Sequence, residues 1–219
     1  RDLVRSRGLG DVYKRQETLF SKHYFESNVV VSGLMRILWG YFKKVVIADR
    51  IITGVTTLIH SPSEYQGAYV FIAMLFYAFE LYCDFTGGID ITIGIAEVMG
   101  IRVTENFNLP YFSKNIAEYW RRWHISMGTW FRDYIFYPMS ISKRMGKLTK
   151  FCKTHFGKGV AKRVPVYLAT MVTWFATGIW HGASWNFVMW GIMNGVIILI
   201  SQELEPLYAL SLIHISEPT

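Results

Sequence analysis

The sequence predicts an all-α, multipass transmembrane helical protein carrying interfacial amphipathic helices. Three observations point there. The 219 residues are 52% hydrophobic and 16% aromatic, more apolar than an ordinary soluble domain. From Val164 to Gln202 no Asp, Glu, Lys or Arg appears, a run of 39 residues. The net charge of +7 is concentrated in the acid-free segment from Ser140 to Arg163, the pattern of a loop held on the cytoplasmic side. Basic excess next to apolar segments implies contact with the lipid bilayer and its anionic head groups. No aromatic-basic ribbon at loop positions argues for nucleic acid.

The ends differ from the middle. Residues 1–16, "RDLVRSRGLGDVYKRQ", are basic and aperiodic, and 211–219, "SLIHISEPT", do not continue the preceding pattern. Both resemble translated adapter sequence, which leaves 17–210 as the membrane domain and as an internal piece of a longer chain.

Within that domain, Val29–Ile59 is a long apolar segment interrupted by Arg36, Lys43, Lys44, Asp49 and Arg50. It spans the bilayer or lies in its interface, with Lys43 and Lys44 as lipid anchors. Gly67–Cys83 reads as a crossing, and the shorter Ile89–Ile101 as a re-entrant or partial span. Glu80 and Asp84 are four apart on one face of an apolar helix. They are functional candidates, or braces paired with Arg102, Arg121 or Arg122.

The segment "YWRRWHISMGTW", residues 119–130, holds the densest mixture of aromatic and basic residues. Asn115 and Glu118 have capping-box spacing, and Ile116, Trp120, Trp123, Met127, Trp130 and Tyr134 recur at helical intervals. The prediction is one amphipathic helix lying in the interface, with Glu118 paired to Arg122, Arg121 on the polar side, and Pro138 ending the run. His124 has Gly128 one turn on, which leaves a notch beside the imidazole.

The uncharged run is about twice the ~20 residues that one helical crossing needs, so two crossings are expected. The break falls at "GIWHGASWN", where Gly178 and Gly182 loosen the helix and Trp180 and Trp185 suit a head-group level. His181 then sits at a helix junction. If the basic segment 140–163 is cytoplasmic, the helix beginning near Val164 runs outward and carries His181 to its far end. Cys83 and Cys152 are isolated, so neither a disulfide framework nor a zinc site is indicated. No His-x3-His or His/Cys cluster marks a metal.

Three stretches, "WGYFKKVVIADR", "YCDFTGGIDITIGIAEVMGIRVTENFNLPYFSKNIAEYWRRWHISMGTWFRDYIFYP" and "TGIWHGASWNFVMWGIMNG", resemble the membrane-bound O-acyltransferase family, in its bacterial branch of alginate O-acetylation and D-alanyl transfer proteins. The resemblance covers most of 33–204. It implies a multipass enzyme of the bacterial cytoplasmic membrane and a hydroxyl acceptor on an exopolysaccharide or other envelope glycan. The acyl donor it implies is a thioester, acyl-CoA or an acyl carrier protein, used as co-substrate with no permanently bound cofactor. Periplasmic or extracellular acyltransferase partner proteins would accompany it. By the same resemblance the family's catalytic histidine falls on His181 and its second signature histidine on His124. The eukaryotic branch tends to have asparagine at the latter, which implies a polar helper there. Asp84 and Asp90 match acidic positions of the bacterial "DF-x-G-x-x-D" motif. The family has more spans before and after this segment.

Chemistry fits that assignment independently, because acyl transfer to a hydroxyl needs a base and imidazole suits it at neutral pH. His181 is the candidate base. His124, Asn186 or a backbone N–H near Gly182 would stabilise the oxyanion, and Trp180, Trp123, Arg121, Arg122, Asp84 and Asp90 are candidates for substrate binding or for lining a tunnel. No Gly-x-Ser-x-Gly elbow or His-x4-Asp motif offers a different acyl-transfer machinery. Two other classes fit part of the pattern: a proton-coupled transporter using Glu80, Asp84, Asp90 and Glu97, and a non-catalytic scaffold of a polysaccharide export complex. Neither explains both histidine motifs. The segment Lys143–Arg163 presents a solvated cytosolic face or docks an acidic acyl carrier protein.

Overall fold

The computed structural model describes residue 20 and residues 22–216, with side chains through Glu205. Every element among the described residues is helical. The segment 1–16 lies outside them, as do residues 217–219. The chain forms two compact units, one ending at Thr104 and the other beginning at Glu105.

The first unit is a helical hairpin. Helix α1 (Ser27–Tyr41) passes through a π-helical stretch (Phe42–Ala48) into α2 (Asp49–His60), and the chain turns back at Gly67 into α3 (Ala68–Val98). The 31 residues of α3 extend about 46 Å, so the crossing and the separate partial span expected from the sequence are one continuous helix. Gly87 and Gly94 serve close approach: a Cβ on Gly33 would lie 2.7 Å from the Gly94 carbonyl oxygen, and one on Gly40 would lie 2.6 Å from that of Gly87. Residue numbers rise on one helix as they fall on the other, so the pairing is antiparallel. Each helix supplies two glycines seven apart, one above the other on the same face, where small residues let helix backbones touch.

Charge runs along the same seam. Asp90 takes Arg36 at 2.9 Å and Lys43 at 2.5 Å, Lys43 also donates to Thr86 Oγ1 at 2.9 Å, and Arg36 reaches Glu97 at 3.6 Å. Lys44 pairs with Asp84 at 2.5 Å and Asp49 at 2.9 Å. This corrects two expectations. Lys43 and Lys44 are not lipid anchors, since the first is buried and both are matched by acids of the hairpin. Where the sequence pointed to Arg102, Arg121 or Arg122 as the brace for Asp84, the hairpin supplies Lys44, one helix away.

The second unit opens with a short 3-10 turn (Pro110–Phe112), followed by α4 (Ile116–Arg122) and α5 (Ile125–Phe131). A π-helical stretch (Arg132–Phe136) then leads to α6 (Tyr137–Ser140). The expected cap forms: the Asn115 side chain accepts from Glu118 N at 2.8 Å, and the Glu118 carboxylate accepts from Lys114 N, one residue before the cap, at 2.8 Å. Glu118 also pairs with Arg122 at 2.6 Å, as its spacing predicts. The single long amphipathic helix is not observed. It breaks at Trp123–His124, and Pro138 does not end it, because it occupies the first turn of α6, where a missing N–H does no harm.

Helix α7 (Lys143–His181) starts from a Ser142 cap whose hydroxyl accepts from Met145 N at 3.1 Å. The basic segment is therefore helical and not a loop, with its non-helical point at Gly157 (φ 87°). Past that kink α7 covers the first half of the uncharged run and packs against α8 (Trp185–Ser216). The junction falls at 182–184, inside the stretch predicted to break.

Among the described residues, two helices are long and apolar enough to cross a membrane, Ala68–Val98 and the Trp185–Glu205 part of α8. Of the two crossings expected in the uncharged run, only the second meets that test. Both helices leave large apolar side chains uncovered, with Met74 64% and Met189 58% exposed, as lipid or further helices would require.

Candidate functional site

His181 closes α7. Gly182 follows with φ 159° and ψ 159°, extended backbone that stops the helix, and a Cβ there would meet the Phe187 ring at 2.7 Å. Gly178, expected to loosen the helix, does the opposite. It lies within α7 so close to α8 that an added Cβ would be 2.6 Å from the Phe187 carbonyl oxygen. Glycine here lets α8 return directly alongside α7, and that return places Phe187 and Trp190 against His181. The imidazole stacks with Phe187 at 6.1 Å and meets Trp180 and Trp190 edge to face at 4.8 and 4.7 Å. It remains exposed.

His124 is held differently. It is the residue before α5 and has φ 46°, ψ 55°, a left-handed conformation that few non-glycine residues adopt. Such strain persists only where surrounding bonds fix it, and Asn106 supplies them. Its carbonyl oxygen accepts from Ile125 N at 2.9 Å. Its side-chain Oδ1 accepts from Ser126 N at 2.9 Å and Ser126 Oγ at 3.0 Å, and lies 3.2 Å from His124 Nδ1. Asn108 N adds a bond to Arg122 O at 3.0 Å. Gly128 N still donates to the His124 carbonyl at 3.0 Å. The His124 imidazole lies beside Phe107 (6.4 Å) and Trp180 (6.3 Å).

Trp180 thus touches both histidines, which are far apart in sequence. Behind Trp190 stand Trp120 and Trp174, each edge to face with it at 5.6 and 6.1 Å, and such pairs hold rings in fixed orientation. Trp123 is buried and braces this wall through Phe107 at 5.0 Å. Two imidazoles among aromatic rings, one exposed and the other half-buried, are groups able to accept protons.

Burial, with His181 close by, holds the His124 imidazole below the ordinary histidine value. In the unfolded chain it would titrate near ~6.5. A depressed folded value means that its contribution to stability is full above about 6.5 and is lost as pH falls through the folded value. The unfolding midpoint of the intact protein is therefore expected to drop on acidification below about pH 6.5, and His124→Gln to flatten that drop. An unchanged slope in the variant would show that His124 is not the titrating group.

A model of the membrane-bound O-acyltransferase family matches residues 13–214. The chain belongs to that family. It is 36% identical over 173 residues to Probable alginate O-acetylase AlgI of Azotobacter vinelandii, covering 79% of this chain and 31% of that protein. It is 30% identical over 180 residues to the Peptidoglycan O-acetyltransferase of Helicobacter pylori, covering 82% and 31%. Teichoic acid D-alanyltransferase of Bacillus subtilis is 27% identical over 197 residues, covering 88% and 47%. The chain thus spans about a third of the length of the alginate and peptidoglycan relatives.

Within this membrane-bound O-acyltransferase segment, the other sequence candidates divide. His181, His124, Trp180 and Trp123 come together. Asn186 stands exposed at the start of α8, its backbone N–H 3.4 Å from Ser184 Oγ. Arg122 is taken by Glu118, and Arg121 is exposed. Asp84 and Asp90 belong to the other unit, in the hairpin's ion pairs. Sequence reasoning missed Asn106, Phe187 and Trp190. Asn106 stands in a non-helical stretch 18 residues before His124, where no periodicity signals a partner, while Trp190 was visible only as one more aromatic in an apolar run.

Proposed function

We propose that this chain is the catalytic part of a multipass O-acyltransferase of a bacterial cytoplasmic membrane. It moves an acyl group, acetyl by preference, from a thioester donor to a hydroxyl of an exopolysaccharide or other envelope glycan. The observation that carries the reading is the meeting of His181 and His124 on Trp180. Family membership and the relatives' names supply the reaction class, and the two apolar helices fit a membrane location.

His181 is the general base. Its imidazole takes the acceptor's hydroxyl proton as the oxygen attacks the thioester carbonyl carbon. The tetrahedral intermediate then collapses with breakage of the carbon–sulfur bond, and the imidazolium returns the proton to the departing thiolate. No acyl-enzyme is needed. The donor is acyl-CoA or an acyl carrier protein, the basic first half of α7 being the surface for an acidic carrier, and envelope acyltransferase proteins act with it on the outer side. The transporter reading weakens, since three of its four acids, Asp84, Asp90 and Glu97, are paired with Lys44, Lys43 and Arg36, which leaves Glu80 as its remaining candidate.

His181→Ala in the intact protein is expected to lower acylation of envelope glycans, measured by mass spectrometry, by the ~10²–10⁴-fold of a lost acid–base group. Acylation at the parental level would overturn the reading.

A further inference from the structure

Asn106 has so far only held the turn at His124, yet its side chain also bonds the histidine ring. Its side-chain atom nearest His124 is 2.9 Å from the backbone N–H of Ser126. A backbone N–H can only donate, so that atom is the amide oxygen, and the usual ambiguity between the oxygen and nitrogen of an asparagine is resolved. An amide oxygen can only accept. The group 3.2 Å away, His124 Nδ1, must therefore carry a hydrogen. The neutral ring then has its lone pair on Nε2.

We propose that Asn106 is a positioning residue which locks His124 as the Nδ1–H tautomer, so that His124 meets the hydroxyl substrate as a hydrogen-bond acceptor and does not donate to the oxyanion. The inference rests on the acyl-transfer reading for the identity of the substrate, and on geometry alone for the tautomer. The arrangement has the logic of a carboxylate or carbonyl orienting a catalytic imidazole: the partner of one ring nitrogen decides what the other can do. The same residue whose carbonyl holds the turn at φ 46° thus also bonds the ring. A glycan presents several hydroxyls. In this assignment His124 Nε2 accepts from one neighbouring the reacting hydroxyl, whose own proton goes to His181. Burial holds His124 neutral further into acid, so Nε2 keeps its lone pair at physiological pH. Oxyanion stabilisation is left to backbone N–H groups at the Gly182 break or to Asn186.

The test uses the intact protein in nanodiscs with [15N]histidine, the His124 signals being identified by their loss in His124→Gln. At pH 8 the parental protein is expected to show the Nδ1–H form at His124. Asn106→Leu, similar in size but without an acceptor, is expected to shift His124 toward the Nε2–H form and to cut glycan acylation about tenfold or more, short of the ~10²–10⁴ of losing an acid–base group outright. Asn106→Asp keeps the accepting oxygen. It should keep the Nδ1–H form, restore more acylation than the leucine variant, and raise the His124 titration midpoint through its charge. An Nε2–H ring in the parental protein, or a tautomer indifferent to Asn106→Leu, would overturn the proposal. His181→Ala serves as the separate control: if it retained acylation, the acyl-transfer reading would fall while the tautomer result stood.

Discussion

Replacing Asp90 by asparagine in the intact protein is expected to destabilise the helical hairpin by about 3–5 kcal/mol, the range for removing one partner of a buried ion pair. Asp90 accepts from Arg36 on one carboxylate oxygen (Nε at 3.0 Å, Nη2 at 2.9 Å) and from Lys43 on the other (2.5 Å). These side chains are 10–22% exposed, so once the carboxylate is gone Arg36 keeps only the longer 3.6 Å contact to Glu97, and Lys43 the Thr86 hydroxyl, with little access to water. An amide of the same shape removes the charge but not the volume, which isolates the electrostatic contribution. Asp84→Asn is the matched comparison. Lys44 keeps Asp49, and the groups involved are 38–47% exposed, so the loss there is expected to be about 1 kcal/mol or less. A triple change, Arg36→Met with Lys43→Met and Asp90→Leu, is expected to recover most of the stability, because well-packed apolar residues often replace a buried ion network without loss. Unfolding midpoints of the purified variants in detergent measure all three. Equal midpoints for Asp90→Asn and Asp84→Asn would show that burial does not govern this network.

That network also marks where sequence reasoning stops. Local signals were legible wherever one stretch of chain decides the outcome. The absence of charge from Val164 to Gln202 located the α7–α8 hairpin, the His181-Gly182 step located its turn, and Asn115 with Glu118 located the start of α4. What failed were readings that needed a partner. Arg36, Lys43 and Lys44 look like interruptions of an apolar helix until α3 is laid against them, and Asp84 and Asp90 look like functional acids for the same reason. Gly178 misled in the same way: it suggests a break in isolation, yet it sits in a continuous helix where another backbone comes close. Asn106 is the sharpest case, because its importance consists of bonds to residues 18–20 positions later, made across a helix break that an uninterrupted amphipathic pattern hid.

Gly191→Ala is expected to separate α7 from α8 and to disable the site without touching a histidine. A Cβ on Gly191 would run into the Trp174 carbonyl oxygen and stand 3.0 Å from Gly178 Cα and 3.1 Å from Gly178 N. All three obstacles are backbone, so no rotamer change relieves them and the helices must move apart. Overpacking of this kind costs about 1–3 kcal/mol. The consequence for chemistry follows from position: His181 is on α7, while Phe187 and Trp190 that orient it are on α8, so a helix shift loosens the imidazole even in protein that still folds. Acylation is therefore expected to fall more steeply than stability. Gly195→Ala meets Met171 Sδ at 3.0 Å, which can swing aside, and Trp174 Cβ at 3.2 Å, which must give by only a few tenths of an ångström, and should be milder than a clash with backbone. Gly159→Ala, with nothing within 4 Å on α7, should be neutral or stabilising by about 0.5–1 kcal/mol from helix propensity. Since Gly178 and Gly191 obstruct the same contact, Gly178→Ala combined with Gly191→Ala should destabilise by less than the sum of the two, as coupled neighbours do. If Gly191→Ala matched Gly159→Ala in unfolding midpoint and in glycan acylation, backbone contact between the helices would not be what holds His181 in place.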